Sequence, residues 1–134
     1  MADEPLKHKV LIVDDETINI QMIGNVLREY MRVIFATSGE DALTIAKANN
    51  PDMILLDIVM PGMDGIALAL KVAKEHPKTA ILMMTGYAAE RQRAHNLEEL
   101  IHEVIAKPFS LKQICDAAED AMSHRGSHRG RCTH

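Results

Sequence analysis

The sequence predicts an α/β domain: a doubly wound, five-stranded parallel sheet flanked by five helices. Two observations carry this. Val10–Val13, Met53–Leu56 and Ala80–Met84 are short runs with no polar residue, which is the signature of strands covered on both faces. Segments of helical periodicity or composition separate them in strict βα alternation, without internal repeats or a linker. Right-handed crossovers then leave few ways to wind the sheet.

Val10-Leu11-Ile12-Val13 forms the first strand and ends in Asp14-Asp15. Ile20, Ile23, Leu27 and Tyr30 recur at helical spacing, so the first helix is expected to reach about Tyr30. Val33–Ala36 is the second strand. Thr37 and Glu40 have the spacing of a capping box opening the second helix, and Asn49-Asn50-Pro51 ends it. Met53–Leu56 follows and terminates on Asp57. The segment Met60-Pro61-Gly62-Met63-Asp64-Gly65 cannot continue that strand, and a third helix runs from Gly65 to about Glu75, before Pro77.

The fourth strand, Ala80–Met84, ends in Thr85-Gly86. The next helix, Ala88 to about Leu97, is crowded by Glu90, Arg91, Gln92, Arg93 and His95 and is expected to dock weakly. Val104–Ala106 is a short fifth strand leading into Lys107-Pro108. Ser110 and Gln113 form a second capping box, and Leu111, Ile114, Cys115, Ala118 and Met122 make the apolar stripe of the last helix.

With 134 residues, the chain fits one domain that needs no disulfide or metal staple. No apolar run approaches the roughly 20 residues that span a bilayer, and MADEPLKHK is no signal peptide. The net charge of −4 conceals an asymmetry. Residues 123–134 hold Arg125, Arg129 and Arg131 and no acid, which leaves twelve basic against nineteen acidic residues, net −7, in residues 1–122. Such a body is a poor match for a nucleic-acid backbone. Cys115 and Cys132 belong to no CxxC pattern, and a reducing cytoplasm suits both. Residues 123–134 lack periodicity and read as a disordered basic tail, a composition that an expression vector can also contribute.

Four strands end at their carboxyl edge in Asp14-Asp15, Asp57, Thr85 and Lys107. That edge is where ligands bind in open α/β sheets. Singly, each residue has an ordinary explanation: a helix cap, a turn or a loop. Jointly, three carboxylates within a few ångströms cannot all remain ionised without a counter-charge, and Mg²⁺ is the economical one. Lys107 adds a fixed positive charge and Thr85 a hydroxyl. Such a pocket suits a phosphoryl group, with Asp57 as the nucleophile and Asp14-Asp15 holding the metal.

In VLIVDDE (10–16), the Asp57 strand with its MPGMDG loop, LMMTGYA (82–88) and AKPFSL (106–111), the sequence resembles the receiver domain of two-component response regulators. The resemblance covers about residues 7–122. It implies the flavodoxin-like strand order 2-1-3-4-5 and phosphorylation of Asp57 by the phosphohistidine of a sensor kinase or phosphotransferase. It also implies Mg²⁺ held by Asp15, Asp57 and the backbone carbonyl of Val59, with Asp14 acting through water. Lys107 would contact the phosphoryl group, Thr85 would be the switch hydroxyl, and the Lys107-Pro108 bond would be cis. No output domain follows in the sequence, so the resemblance is to a stand-alone receiver: a signalling switch that catalyses only its own phosphorylation and dephosphorylation. A downstream protein partner is implied, with the protein a monomer or a weak phosphorylation-linked dimer.

Two positions depart from the family pattern. Val104 stands where an aromatic switch residue is usual, and Glu98-Glu99-Leu100-Ile101-His102-Glu103 replaces a Gly-containing turn. The output face is accordingly expected between Thr85 and Glu103, moving by backbone rather than by an aromatic rotamer. The main alternative is a degenerate receiver that binds proteins without being phosphorylated. A haloacid-dehalogenase-type phosphatase is set aside, because it needs a second Asp where Val59 stands. His124, His128, Cys132 and His134 could collect metal, but a flexible tail lacks the fixed geometry of a specific site.

Overall fold

The computed structural model describes residues 8–57, 59–60, 63–86, 101–106 and 109–126. Five strands form one parallel sheet: β1 (Lys9–Val13), β2 (Arg32–Ala36), β3 (Met53–Asp57), β4 (Ala80–Thr85) and β5 (Glu103–Ala106). Their spatial order is β2-β1-β3-β4-β5, the doubly wound order expected. Four helices are described: α1 (Thr17–Leu27), α2 (Gly39–Asn49), α3 (Gly65–Glu75) and α4 (Leu111–Gly126). The expected helix from Ala88 to Leu97 lies outside the described residues.

Alternation along each strand divides the core into two layers. Leu11, Val13, Ile54, Leu56, Ile81 and Met83 face α2 and α3, packing with Ala42, Ala46, Leu68, Ala69 and Val72. Val10, Ile12, Met53, Leu55, Leu82, Met84 and Ile105 face α1 and α4, packing with Ile20, Ile23, Leu27, Ile114, Ala117, Ala118 and Ala121. This is why the strand runs contain no polar residue: both faces are covered. All five residues of β3 are buried, which makes it the central strand in environment as well as in order. Complete burial of a side chain such as Leu55 contributes about 1.5–3 kcal/mol.

Local chemistry sets the helix ends, and in places it differs from the sequence expectation. α1 stops at Leu27, with Arg28 as its C-cap, and Tyr30 lies beyond it, 53% exposed. Tyr30 thus matches the helical period but does not belong to the helix. α2 is capped by Ser38, whose Oγ accepts the Asp41 backbone N–H at 3.1 Å. The cap therefore lies one residue later than the Thr37–Glu40 spacing suggested, and the Ser38 side chain serves as a single cap rather than as half of a box. Asn50 closes α2 in the left-handed region (φ 48), which its short polar side chain tolerates, and Pro51 prevents continuation.

α3 begins on Asp64, whose Oδ1 accepts the Ile66 N–H at 3.0 Å. The Ser110 box is reciprocal as expected: Gln113 N–H donates to Ser110 Oγ at 3.1 Å and Ser110 N–H to Gln113 Oε1 at 2.7 Å. α4 then runs through Gly126, four residues past Met122, so residues 123–126 of the expected tail are helical. Cys115 is only half-buried on this helix, and desolvation holds its thiol pKa above the ordinary value.

Candidate functional site at the carboxyl edge of the sheet

Strand register brings the reactive residues together. Val13 pairs with Leu56, so Asp14 and Asp57 each stand one residue further along adjacent strands. Asp57 pairs with Met84, and Thr85, the next residue of β4, pairs with Ala106 of β5. The site therefore lies where β1 and β3 meet. From these two strands the chain leaves to opposite faces, α1 on one side and α3 on the other. This is the switch point where α/β sheets bind ligands.

Asp14, Asp57 and Thr85 are the only polar or charged side chains buried among the described residues, at 1%, 6% and 1% exposure. Buried carboxylates persist only where counter-charge or hydrogen bonds compensate for lost solvation. Asp15 is exposed and gives the cluster an open side. One carboxylate oxygen from each of Asp14, Asp15 and Asp57 lies within 4.8 Å of the others. Oxygens around one Mg²⁺ at about 2.1 Å lie within roughly 4.2 Å of each other, so at most a small closure brings two of the three onto one ion, with the third in reach of a water on it. The donors are all hard oxygens, and the cluster fits a hard divalent cation.

Among the described residues, two donors to Asp14 are ones that the sequence did not point to. The Glu16 backbone N–H donates to Asp14 Oδ1 at 2.9 Å, and the Asn19 side-chain amide donates to Asp14 Oδ2 at 3.2 Å. The same amide nitrogen donates to Glu16 Oε1 at 3.0 Å. Asn19 sits in the first turn of α1, five residues after Asp14. Its signal was a polar residue in the first turn of the helix that leaves the acidic pair.

Val59 opens a two-residue antiparallel ribbon, Val59–Met60 with Met63–Asp64, two residues beyond Asp57. The MPGMDG segment thus leaves the parallel sheet, as expected, but pairs with itself rather than forming a plain loop. Lys107 and Pro108 lie outside the described residues, as do Tyr87 and Glu98–Leu100. The structure therefore brings together Asp14, Asp15 and Asp57, with Thr85 on the adjoining strand.

A family model described as the response regulator receiver domain matches residues 10–119. The chain belongs to this family. Receiver domains are signalling switches that take phosphoryl groups from histidine kinases. The transcriptional regulatory protein SrrA of Staphylococcus aureus is 36% identical over 110 residues, a stretch covering 81% of this chain and 45% of SrrA. The chain thus spans under half the length of that relative. A CheY-like receiver domain protein from Methanospirillum hungatei superposes with TM-score 0.84 at 26% identity, covering 91% of this chain and 98% of that one. The chemotaxis protein CheY4 of Vibrio cholerae superposes with TM-score 0.76 at 27% identity, covering 84% of this chain and 96% of its own. No helix among the described residues is long and apolar enough to cross a membrane.

Proposed function

We propose that this receiver domain accepts a phosphoryl group on Asp57 from the phosphohistidine of a sensor kinase or phosphotransferase. The observation that supports this most directly is the convergence of three carboxylates at the carboxyl edge, with Asp57 at the end of the fully buried central strand. In the proposed reaction an Asp57 oxygen attacks phosphorus, the bond from phosphorus to the donor imidazole breaks, and the imidazole departs with its electron pair. Asp15, Asp57 and the Val59 carbonyl would hold Mg²⁺ directly and Asp14 through water. The bound ion offsets charge on the phosphoryl oxygens.

Lys107 is assigned the phosphoryl contact and Thr85 the hydroxyl that donates to a phosphoryl oxygen. Charge-assisted bonds of this kind are worth about 1.5–3 kcal/mol, enough to bias the segment after Thr85 toward a second arrangement. The downstream protein partner is then read on the face from Thr85 to Glu103, in the cytoplasm, by a monomer or a weak phosphorylation-linked dimer. Residues 7–122 are the proposed receiver unit. Catalysis is confined to the protein's own phosphorylation and dephosphorylation.

Acetyl phosphate with Mg²⁺ tests the reading. Intact mass should show one added phosphoryl group that is lost in alkali, and Asp57→Ala should remain unlabelled. Full labelling of Asp57→Ala would reassign the acceptor. No labelling of the wild type by either acetyl phosphate or a phosphohistidine donor would favour the phosphorylation-independent binding module.

A further inference from the structure

At the opposite edge of the sheet, the chain brings a second set of metal-ligating groups together. His102 forms the bend just before β5, Glu103 is the first residue of β5, and Asp120 lies on α4. Consecutive residues within a regular strand diverge to opposite faces, but the bend at His102 lets its ring and the Glu103 carboxylate converge. One donor atom from each of His102, Glu103 and Asp120 lies within 4.8 Å of the other two. The backbone on which the set stands is fixed. His102 N–H donates to the Ile81 carbonyl at 2.8 Å, and Glu103 pairs with Leu82.

His102 Nε2 stands 2.8 Å from Asp120 Oδ2, with the histidine side chain 19% exposed and the aspartate 41%. That contact alone is an ordinary histidine–carboxylate pair. Glu103 is what makes the set more than a pair. Its exposed carboxylate converges on the histidine–aspartate pair, so two negative charges and an imidazole nitrogen face one point, and a divalent cation there would offset both carboxylates.

We propose that His102, Glu103 and Asp120 form a binding site for a borderline divalent transition-metal ion such as Zn²⁺, separate from the Asp14–Asp15–Asp57 cluster. One imidazole nitrogen and two carboxylates are ligands that Zn²⁺ accepts, with water completing a tetrahedron. Donors at about 2.0–2.2 Å from the ion lie roughly 3.3–3.6 Å apart. No separation therefore needs to close by more than about 1.5 Å, and the histidine–aspartate contact must open slightly. Side-chain rotations supply both. Asp57 is level with Met84 and Ile105, so the acidic cluster lies two residues further along and two strands across from Glu103, roughly 12 Å away. A metal here would tie the edge strand β5 to α4 without touching the acidic cluster.

The test uses the full-length chain carrying His124→Ala, His128→Ala, Cys132→Ser and His134→Ala, which removes the tail ligands. Calorimetric titration with ZnCl₂ in excess Mg²⁺, which occupies the acidic cluster, should show one equivalent bound. His102→Ala should weaken it at least tenfold, and Asp120→Asn and Glu103→Gln should each weaken it severalfold, while Asp57→Ala leaves it unchanged. Amide NMR shifts on Zn²⁺ addition should concentrate in residues 101–106 and 116–121. Absence of Zn²⁺ binding would overturn the assignment. So would equal affinity in Asp120→Asn and Glu103→Gln, both conservative changes at partly exposed positions that preserve folding.

Discussion

Asn19 shows how much of the acidic cluster depends on a side chain that carries no charge. Its amide nitrogen bridges Asp14 Oδ2 and Glu16 Oε1, while the Glu16 N–H takes the other Asp14 oxygen. With a donor on each oxygen, the Asp14 carboxylate is oriented before any cation arrives. Groups that orient a ligand from behind commonly contribute 10- to 100-fold in metal affinity. Asp14 is proposed to act through water, so the lower end applies. Asn19→Ala should weaken Mg²⁺ binding about tenfold by calorimetry, with the acceptor still Asp57 and phosphorylation restored by raising Mg²⁺. Unchanged Mg²⁺ affinity would reduce Asn19 to a helix-start residue.

Among the elements, the helix starts separate sequence pattern from actual geometry. Two segments have the spacing of a capping box, Thr37–Glu40 and Ser110–Gln113. Only the second closes as spaced, with both hydrogen bonds formed. In the first, Ser38 takes the capping role one residue later. Because a lost Ser cap typically costs about 1 kcal/mol, Ser110→Ala and Ser38→Ala should each lower the urea midpoint by that equivalent. Thr37→Ala should be close to neutral. A Thr37→Ala loss equal to that of Ser38→Ala would restore the earlier register for α2.

On the scale of the whole molecule, the sheet gathers three carboxylates at one edge, where a divalent cation would add to the groups that balance them. Any ion that binds the folded chain alone stabilises it, by about 2.7 kcal/mol at a hundred times its dissociation constant. Mg²⁺ should therefore raise the unfolding midpoint of the wild type, and Asp15→Ala should abolish most of that rise. Without metal, Asp57→Asn should be more stable than wild type, since one of three mutually repelling carboxylates becomes neutral. A metal-free Asp57→Asn less stable than wild type would mean that hydrogen bonds to the Asp57 carboxylate outweigh the repulsion.

Much of this was legible in the chain itself. Runs such as Met53–Leu56 with no polar residue specify buried parallel strands, because only a sheet covered on both faces accommodates them. Asp14, Asp15, Asp57 and Thr85 were visible as polar residues ending such runs, and α3 begins and ends where its Gly and Pro signals placed it. What sequence could not decide depended on contacts between elements or on the choice between near-equal local partners. Tyr30 keeps the period of α1 but falls outside it, since periodicity records spacing and not where the backbone turns away. Ser38 and Thr37 are both competent caps by residue type, and only the folded chain shows that Ser38 takes the role. Asn19 is tied to the site by the turn into α1, which brings its amide to the Asp14 carboxylate. His102, Glu103 and Asp120 became a cluster only when α4 packed beside β5, because seventeen positions of chain separate Glu103 from Asp120 and no local pattern spans that distance.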